Sequence, residues 1–223
     1  MVLDRYIALN PSRSKNLAFG LDIARDFAVC VVVENASGRC GVRLQPDEFL
    51  SVFDEEWIKS VDRHMVTPFS QPGPSHLAAH VDFRCIAVNE GEPALKISSH
   101  DGNYCILGSI TWQSLRQMSE FLKTKLSDLT QLVSSGSVHK LFKDAILAMM
   151  ASAREQHITS FASENESKRF ICENFPGWLA ALTPPQPFND ILFEMFSRHP
   201  DILARALFDA VNDKVLSTLN SMR

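Results

Sequence analysis

The stretch "ENASGRCGVRLQPDEFLSVF", residues 34–53, reads as a strand end, a turn, a second strand and the opening of a helix. Asn35, Ser37 and Gly38 supply the turn chemistry. Cys40, Val42 and Leu44 then alternate with Arg39, Gly41 and Arg43, a period of two that places both arginines away from the apolar face. At Pro46 the period changes. Proline suits the first helical turn, where its missing N–H costs nothing, and Asp47 and Glu48 complement the positive helix end. Phe49, Phe53, Trp57 and Val61 follow at intervals of four, joined by Leu50 and Ile58, on a helix of about four turns. Upstream, "LAFGLDIA" (17–24) alternates cleanly and "FAVCVVVEN" (27–35) is almost wholly apolar and rich in valine. Both predict strands, so the unit is β-β-β-α.

"SHDGNYCILGSITWQSLRQM" (99–118) has the same grammar in other letters. "FRCIAV" (83–88) and "ALKISS" (94–99) flank a turn at "NEGEP", and Asp101-Gly102 is a hairpin signal. "YCILGSI" (104–110) leads to Thr111 as N-cap and to a helix with Leu115, Met118, Leu122, Leu126 and Leu129 on one face. An offset of about 65–66 residues superposes the two units. The competing interpretation is one mixed sheet whose rhythm is coincidental. Between the units, "TPFSQPGPSHLAAH" (67–80) carries three prolines and predicts an irregular connector.

From Ser127 onward the strand signals vanish. Helical periodicity covers 137–157, and Ser163 with Glu166 has capping-box spacing at the head of a short helix over 163–175. "FPGWLAALTPPQP" (175–187) predicts a proline-broken passage, followed by helices over "NDILFEMFSRH" and the last two dozen residues. The fold class is therefore α+β: tandem β-β-β-α units forming antiparallel sheets with amphipathic helices, then an all-helical C-terminal region. Residues 1–126 hold the copies (17–62 and 83–126, linker 63–82), and 127–223 the helices.

The chain has 223 residues and a formal charge of −4, with acidic residues exceeding basic ones in both parts. No whole-chain basic field exists, so any polyanion site is a local patch. Five cysteines without Cys-x-x-Cys spacing, and no signal-peptide pattern, point to reduced thiols and an intracellular home, nucleus or cytoplasm. No run of apolar residues is long enough for a membrane span. The phosphate loop, dinucleotide fingerprint, zincin and nucleophile-elbow motifs are all missing, and the chain reads as non-enzymatic, with no cofactor and no metal. His76, His80 and Cys85 resemble zinc ligands in type, but they lie beside Pro72 and Pro74 with no fourth ligand evident. Arg39, Arg43 and Lys96 are strand cations facing away from the core, either plainly solvated or forming a groove that tracks phosphates. Tyr104 opens a strand beside a turn, where its ring can be exposed.

The strand-to-helix junction resembles the positive-cofactor-four family of transcriptional coactivators. Gly41, Val42, Leu44, Pro46, Asp47 and Phe49 match it in kind, and Leu107, Ile110, Thr111 and Leu115 follow the pattern in the second copy. The resemblance covers residues 17–126 and extends to the related whirly group. It implies single-stranded DNA or RNA binding across the sheets of paired β-α units, which the tandem repeat could pair within one chain. Such binding needs a positive groove and stacking rings. The residues available for it are Arg25, Arg39, Arg43, Lys96 and Tyr104. The alternative is a protein-interaction or self-assembly module, with a protein partner or second copy held by C-terminal helices around Phe188, Ile191, Leu192, Phe193, Met195 and Phe196.

Overall fold

The computed structural model describes residues 1–36, 41–66, 73–89, 91–182 and 188–212. Two compact units divide the chain. Leu3–Asp22 with Ala28–Gln131 forms a sheet-bearing unit, and Ile23–Phe27 joins the residues from Leu132 onward in a helical one.

The sheet-bearing unit contains two four-stranded sheets, each in simple sequence order. The first consists of β1 (Val2–Ala8), β2 (Lys15–Asp22), β3 (Ala28–Asn35) and β4 (Gly41–Leu44). The second consists of β5 (Ser75–Ala78), β6 (Val81–Val88), β7 (Glu92–Ser99) and β8 (Tyr104–Gly108). Antiparallel sheets followed by helices are what the residue pattern predicts. Each sheet also has one strand more than that pattern shows, β1 and β5. Part of the stretch expected to be irregular is thus a strand: β5 lies within 63–82, while residues 67–72 fall outside the described ones.

The repeat is visible in register. Val31 pairs Leu44 across β3–β4, and Leu95 pairs Leu107 across β7–β8. Along their lengths β3 and β7 share one order of exposed, intermediate and buried positions. Period-two alternation puts Val31 with Val33 and Leu95 with Ile97 on the core faces, because a slip of one residue would turn every core side chain to the other face.

Each sheet leads into a helical stretch that is broken into two parts. After β4 come α1 (Pro46–Leu50), a 3-10 turn (Ser51–Phe53) and α2 (Glu55–Val66). The single four-turn helix expected over this stretch is interrupted because Asp54 leaves helical geometry, at ψ 135°. Its carboxylate then caps α2, accepting from the Glu56 and Trp57 amides at 3.1 and 3.2 Å. Pro46 occupies the first helical position, and the Glu48 carboxylate accepts the Gln45 amide at 2.8 Å. In the second repeat α3 (Ser109–Gln117) and α4 (Ser119–Ser134) meet at Met118. Thr111 lies inside the first turn of α3, and Gly108 takes the N-cap position expected of it.

The two repeats are interlocked. β4 runs against β7 and β8, while α2, which belongs to the first repeat, packs on β7 of the second. Trp57 of α2, His76 of β5 and Phe83 of β6 form a stack with centroid separations of 5.5 and 6.0 Å. Phe83 is wholly buried, worth about 1.5–3 kcal/mol by transfer. His64 of α2 also reaches the Ile86 carbonyl at 2.9 Å.

The helical unit contains α5 (Ser137–Glu155), α6 (Glu164–Leu182), α7 (Phe188–Arg198) and α8 (Pro200–Asn212), which all pack on one another. Helix α6 continues through Pro176 and Gly177, where a break was expected. Its start matches the capping-box spacing: the Glu166 amide meets Ser163 Oγ at 3.3 Å, and the Glu166 carboxylate accepts the Ala162 amide at 2.7 Å. Ser167 Oγ, fully buried, donates to the Ala204 carbonyl at 2.8 Å and ties α6 to α8. Asn212 ends α8 with a reciprocal pair of hydrogen bonds to the Phe161 backbone, at 2.8 and 2.7 Å. No helix among the described residues is long and apolar enough to cross a membrane.

Candidate nucleic-acid interface

The two sheets differ in what their outer faces offer. In the first, every β2 residue from Leu17 to Asp22 is buried, so both faces are closed to solvent there. Leu17, Phe19 and Leu21 share one face with Val31, Val33, Val42 and Leu44. The other face carries small side chains, Ala18, Gly20 and Cys30, together with Asp22. Arg43 projects on that second face, and its guanidinium is ion-paired with the buried Asp22 carboxylate. A charge held in this way satisfies a buried carboxylate first and is less available to an outside phosphate.

The second sheet is closed on one face and, at Ala94, which is 0% exposed, also on part of the other. Val81, Phe83, Cys85, Leu95, Ile97, Cys105 and Leu107 are each at most 1% exposed and form its core side. The opposite face presents two rungs. Ser75, Arg84, Lys96 and Ile106 lie opposite one another in register, and Leu77, Asp82, Ser98 and Tyr104 form the next. Arg84 and Lys96 are thus directly opposed on neighbouring strands, where side chains approach closely. Lys96 Nζ sits over the Tyr104 ring, 5.0 Å from its centroid, and Tyr104 is 49% exposed. Leu77, 66% exposed, extends the apolar part of the surface. Asp82 pairs with Arg84 at 3.1 Å, which orients the guanidinium and offsets part of its charge.

The five residues expected from sequence separate in the fold. Lys96 and Tyr104 come together on one open face. Arg43 stands on the other sheet with Asp22 as its partner. Arg25 ends a 3-10 turn, Ile23–Arg25, assigned to the helical unit. Arg39 lies outside the described residues. The residue missed was Arg84. Its signal was present: in "FRCIAV" it falls on the polar side of the alternation, and once β6 and β7 are paired it faces Lys96.

His76, His80 and Cys85 do not converge as ligands. His76 is on β5 in the aromatic stack, His80 is in the turn that follows, and Cys85 is in the core. Among the described residues no group of three or more His, Cys, Asp or Glu side chains is placed to hold a metal.

No protein-family model matches the chain. Searches of curated proteins and of solved structures return no match either.

Proposed function

We propose that the chain binds single-stranded nucleic acid, DNA or RNA, on the open face of its second sheet. The observation that carries this reading is the cluster of Arg84, Lys96 and half-exposed Tyr104 on the second sheet's polar face. Two opposed cations meet successive phosphates, and a half-exposed ring offers a base a stacking surface. The equivalent rung of the first sheet is Ala18, Val32 and Arg43, with Ala18 buried and Arg43 engaged by Asp22. Among the described residues this difference favours the second sheet over the first. The function is non-enzymatic, and the resemblance of the strand-to-helix junctions to the positive-cofactor-four and whirly groups supports it.

The assembly reading has less to rest on. Of the apolar α7 residues, Ile191, Leu192, Met195 and Phe196 are buried within the chain, and only Phe193, 54% exposed, is strongly presented.

Fluorescence anisotropy with labelled single-stranded DNA and RNA tests the proposal. Two phosphate contacts give a log–log salt slope near −1.4, so affinity should fall about sevenfold between 50 and 200 mM salt. The double substitution Arg84→Ala/Lys96→Ala should remove both the binding and the slope, while Arg43→Ala should leave them in place. Absence of binding at 50 mM salt would sink the proposal, and so would binding indifferent to the double substitution.

A further inference from the structure

We propose that His80 and His100 form a two-histidine site for a borderline divalent cation of the copper(II), zinc or nickel class. The site does not depend on the nucleic-acid reading.

The backbone brings the two imidazoles together. Strands β6 and β7 pair with Val81 opposite Ser99, and one rung further the His100 amide donates to the His80 carbonyl at 3.3 Å. The two histidines therefore face each other at the end of the sheet, from the turn before β6 and the turn after β7. Their ring centroids are 5.8 Å apart with planes at 78°. A metal–nitrogen bond of ~2.0–2.1 Å puts each imidazole centroid ~3.2 Å from the ion, so two rings sharing one ion stand ~4.5–6.4 Å apart. The observed separation lies inside that window.

Two features prepare the site. Both rings are at exposed positions, and among the described residues neither makes a side-chain hydrogen bond that would have to be broken. Next to His80, Glu48, 5% exposed, accepts the His80 amide on Oε1 at 3.2 Å and the Gln45 amide on Oε2 at 2.8 Å. That carboxylate uses both oxygens on backbone donors. It anchors the turn and contributes negative charge, which favours a cation, without acting as a ligand. Among the described residues no third side-chain ligand completes the set, so water fills the remaining positions and copper(II) should be held most tightly of the three. A bound ion would clip two hairpin turns together and stabilise the native state by mass action.

The test uses the full chain. Copper(II) added at one equivalent should give an electron paramagnetic resonance spectrum with nitrogen hyperfine coupling from two imidazoles. Zinc should bind once per chain in calorimetry. Either His80→Ala or His100→Ala should weaken both by tenfold or more, and His157→Ala, an exposed histidine in the helical unit, should not. A second measurement needs no variant: diethylpyrocarbonate footprinting of the unaltered chain, with and without zinc, should show His80 and His100 protected together and His157 unprotected. An unchanged copper spectrum in the His80→Ala/His100→Ala protein would overturn the site. Equal zinc protection of all exposed histidines would overturn it as well.

Discussion

Trp112 of α3 donates its indole N–H to Asp62 of α2 at 2.9 Å, and the other oxygen of the same carboxylate is ion-paired with Arg116. One side chain of the first repeat thus receives two groups of the second. The indole is 1% exposed, so it has no ready substitute partner in water. Removing the acceptor leaves a buried donor unsatisfied, a loss of about 1–3 kcal/mol. Asp62→Ala should therefore lower the unfolding free energy by that amount, read as a lower urea midpoint with little change in slope. Asp62→Asn keeps an acceptor for the indole and loses only the half-exposed ion pair, so its cost should stay below about 1 kcal/mol. Equal losses for the two variants would show that the indole bond contributes nothing.

Asp82 governs how much of the Arg84 charge is available on the open sheet face, because the two are paired at 3.1 Å. Under the nucleic-acid proposal, an incoming phosphate competes with that carboxylate. Asp82→Asn should then tighten single-strand binding severalfold and steepen its salt dependence, since more of the guanidinium charge is free to displace counterions. Tyr104→Ala should act in the opposite direction, weakening binding by the ~1–3 kcal/mol of one base stack without altering the salt slope. Anisotropy titrations at three salt concentrations separate the two effects. Weaker binding by Asp82→Asn would mean that the pair works as a rigid unit rather than as a competitor.

The repeat was legible because burial imposes a period, and a period can be read from letters. "FAVCVVVEN" and "ALKISS" carry strong alternating or apolar signals, and both are strands. β1 and β5 were not legible for a physical reason. They are edge strands, half-exposed: β1 keeps no strict alternation, and β5 alternates over only four residues, a run too short to read. "SHLA" reads in sequence as the tail of a proline-rich connector, and only pairing with β6 makes it a strand. The helix break at Asp54 was hidden in the same way, because the apolar interval from Phe53 to Trp57 fits a continuous helix as well as a capped restart. For the site, alternation found Lys96 and the turn found Tyr104, yet neither says which cations are opposed. Arg84 becomes a neighbour of Lys96 only through register, and Arg43 becomes a partner of Asp22 only through the fold of the first sheet.

Cys85 provides a test of the core of the second sheet. It is 1% exposed on β6, and loss of hydration pushes its thiol pKa up to about 12 from an ordinary value of 9.0. Gly73 passes directly over it: a Cβ at position 73 would stand 2.6 Å from Cys85 Cβ and 2.8 Å from its carbonyl oxygen. The thiol is therefore both sealed and neutral. In the unfolded chain it ionises near its ordinary value, so the unfolded state sheds a proton that the native state keeps. Stability from this group is complete below pH 9 and drains away as pH climbs toward 12, which chemical denaturation at pH 8, 9 and 10 would follow. Cys85→Ala should flatten that decline, at the cost of a smaller core. The same burial predicts selective alkylation. In native protein at pH 8, iodoacetamide should modify the exposed Cys172 and spare Cys30, Cys85 and Cys105, with peptide mapping as the readout. Rapid labelling of Cys85 without denaturant would mean that the strand opens far more readily than its packing against Gly73 allows.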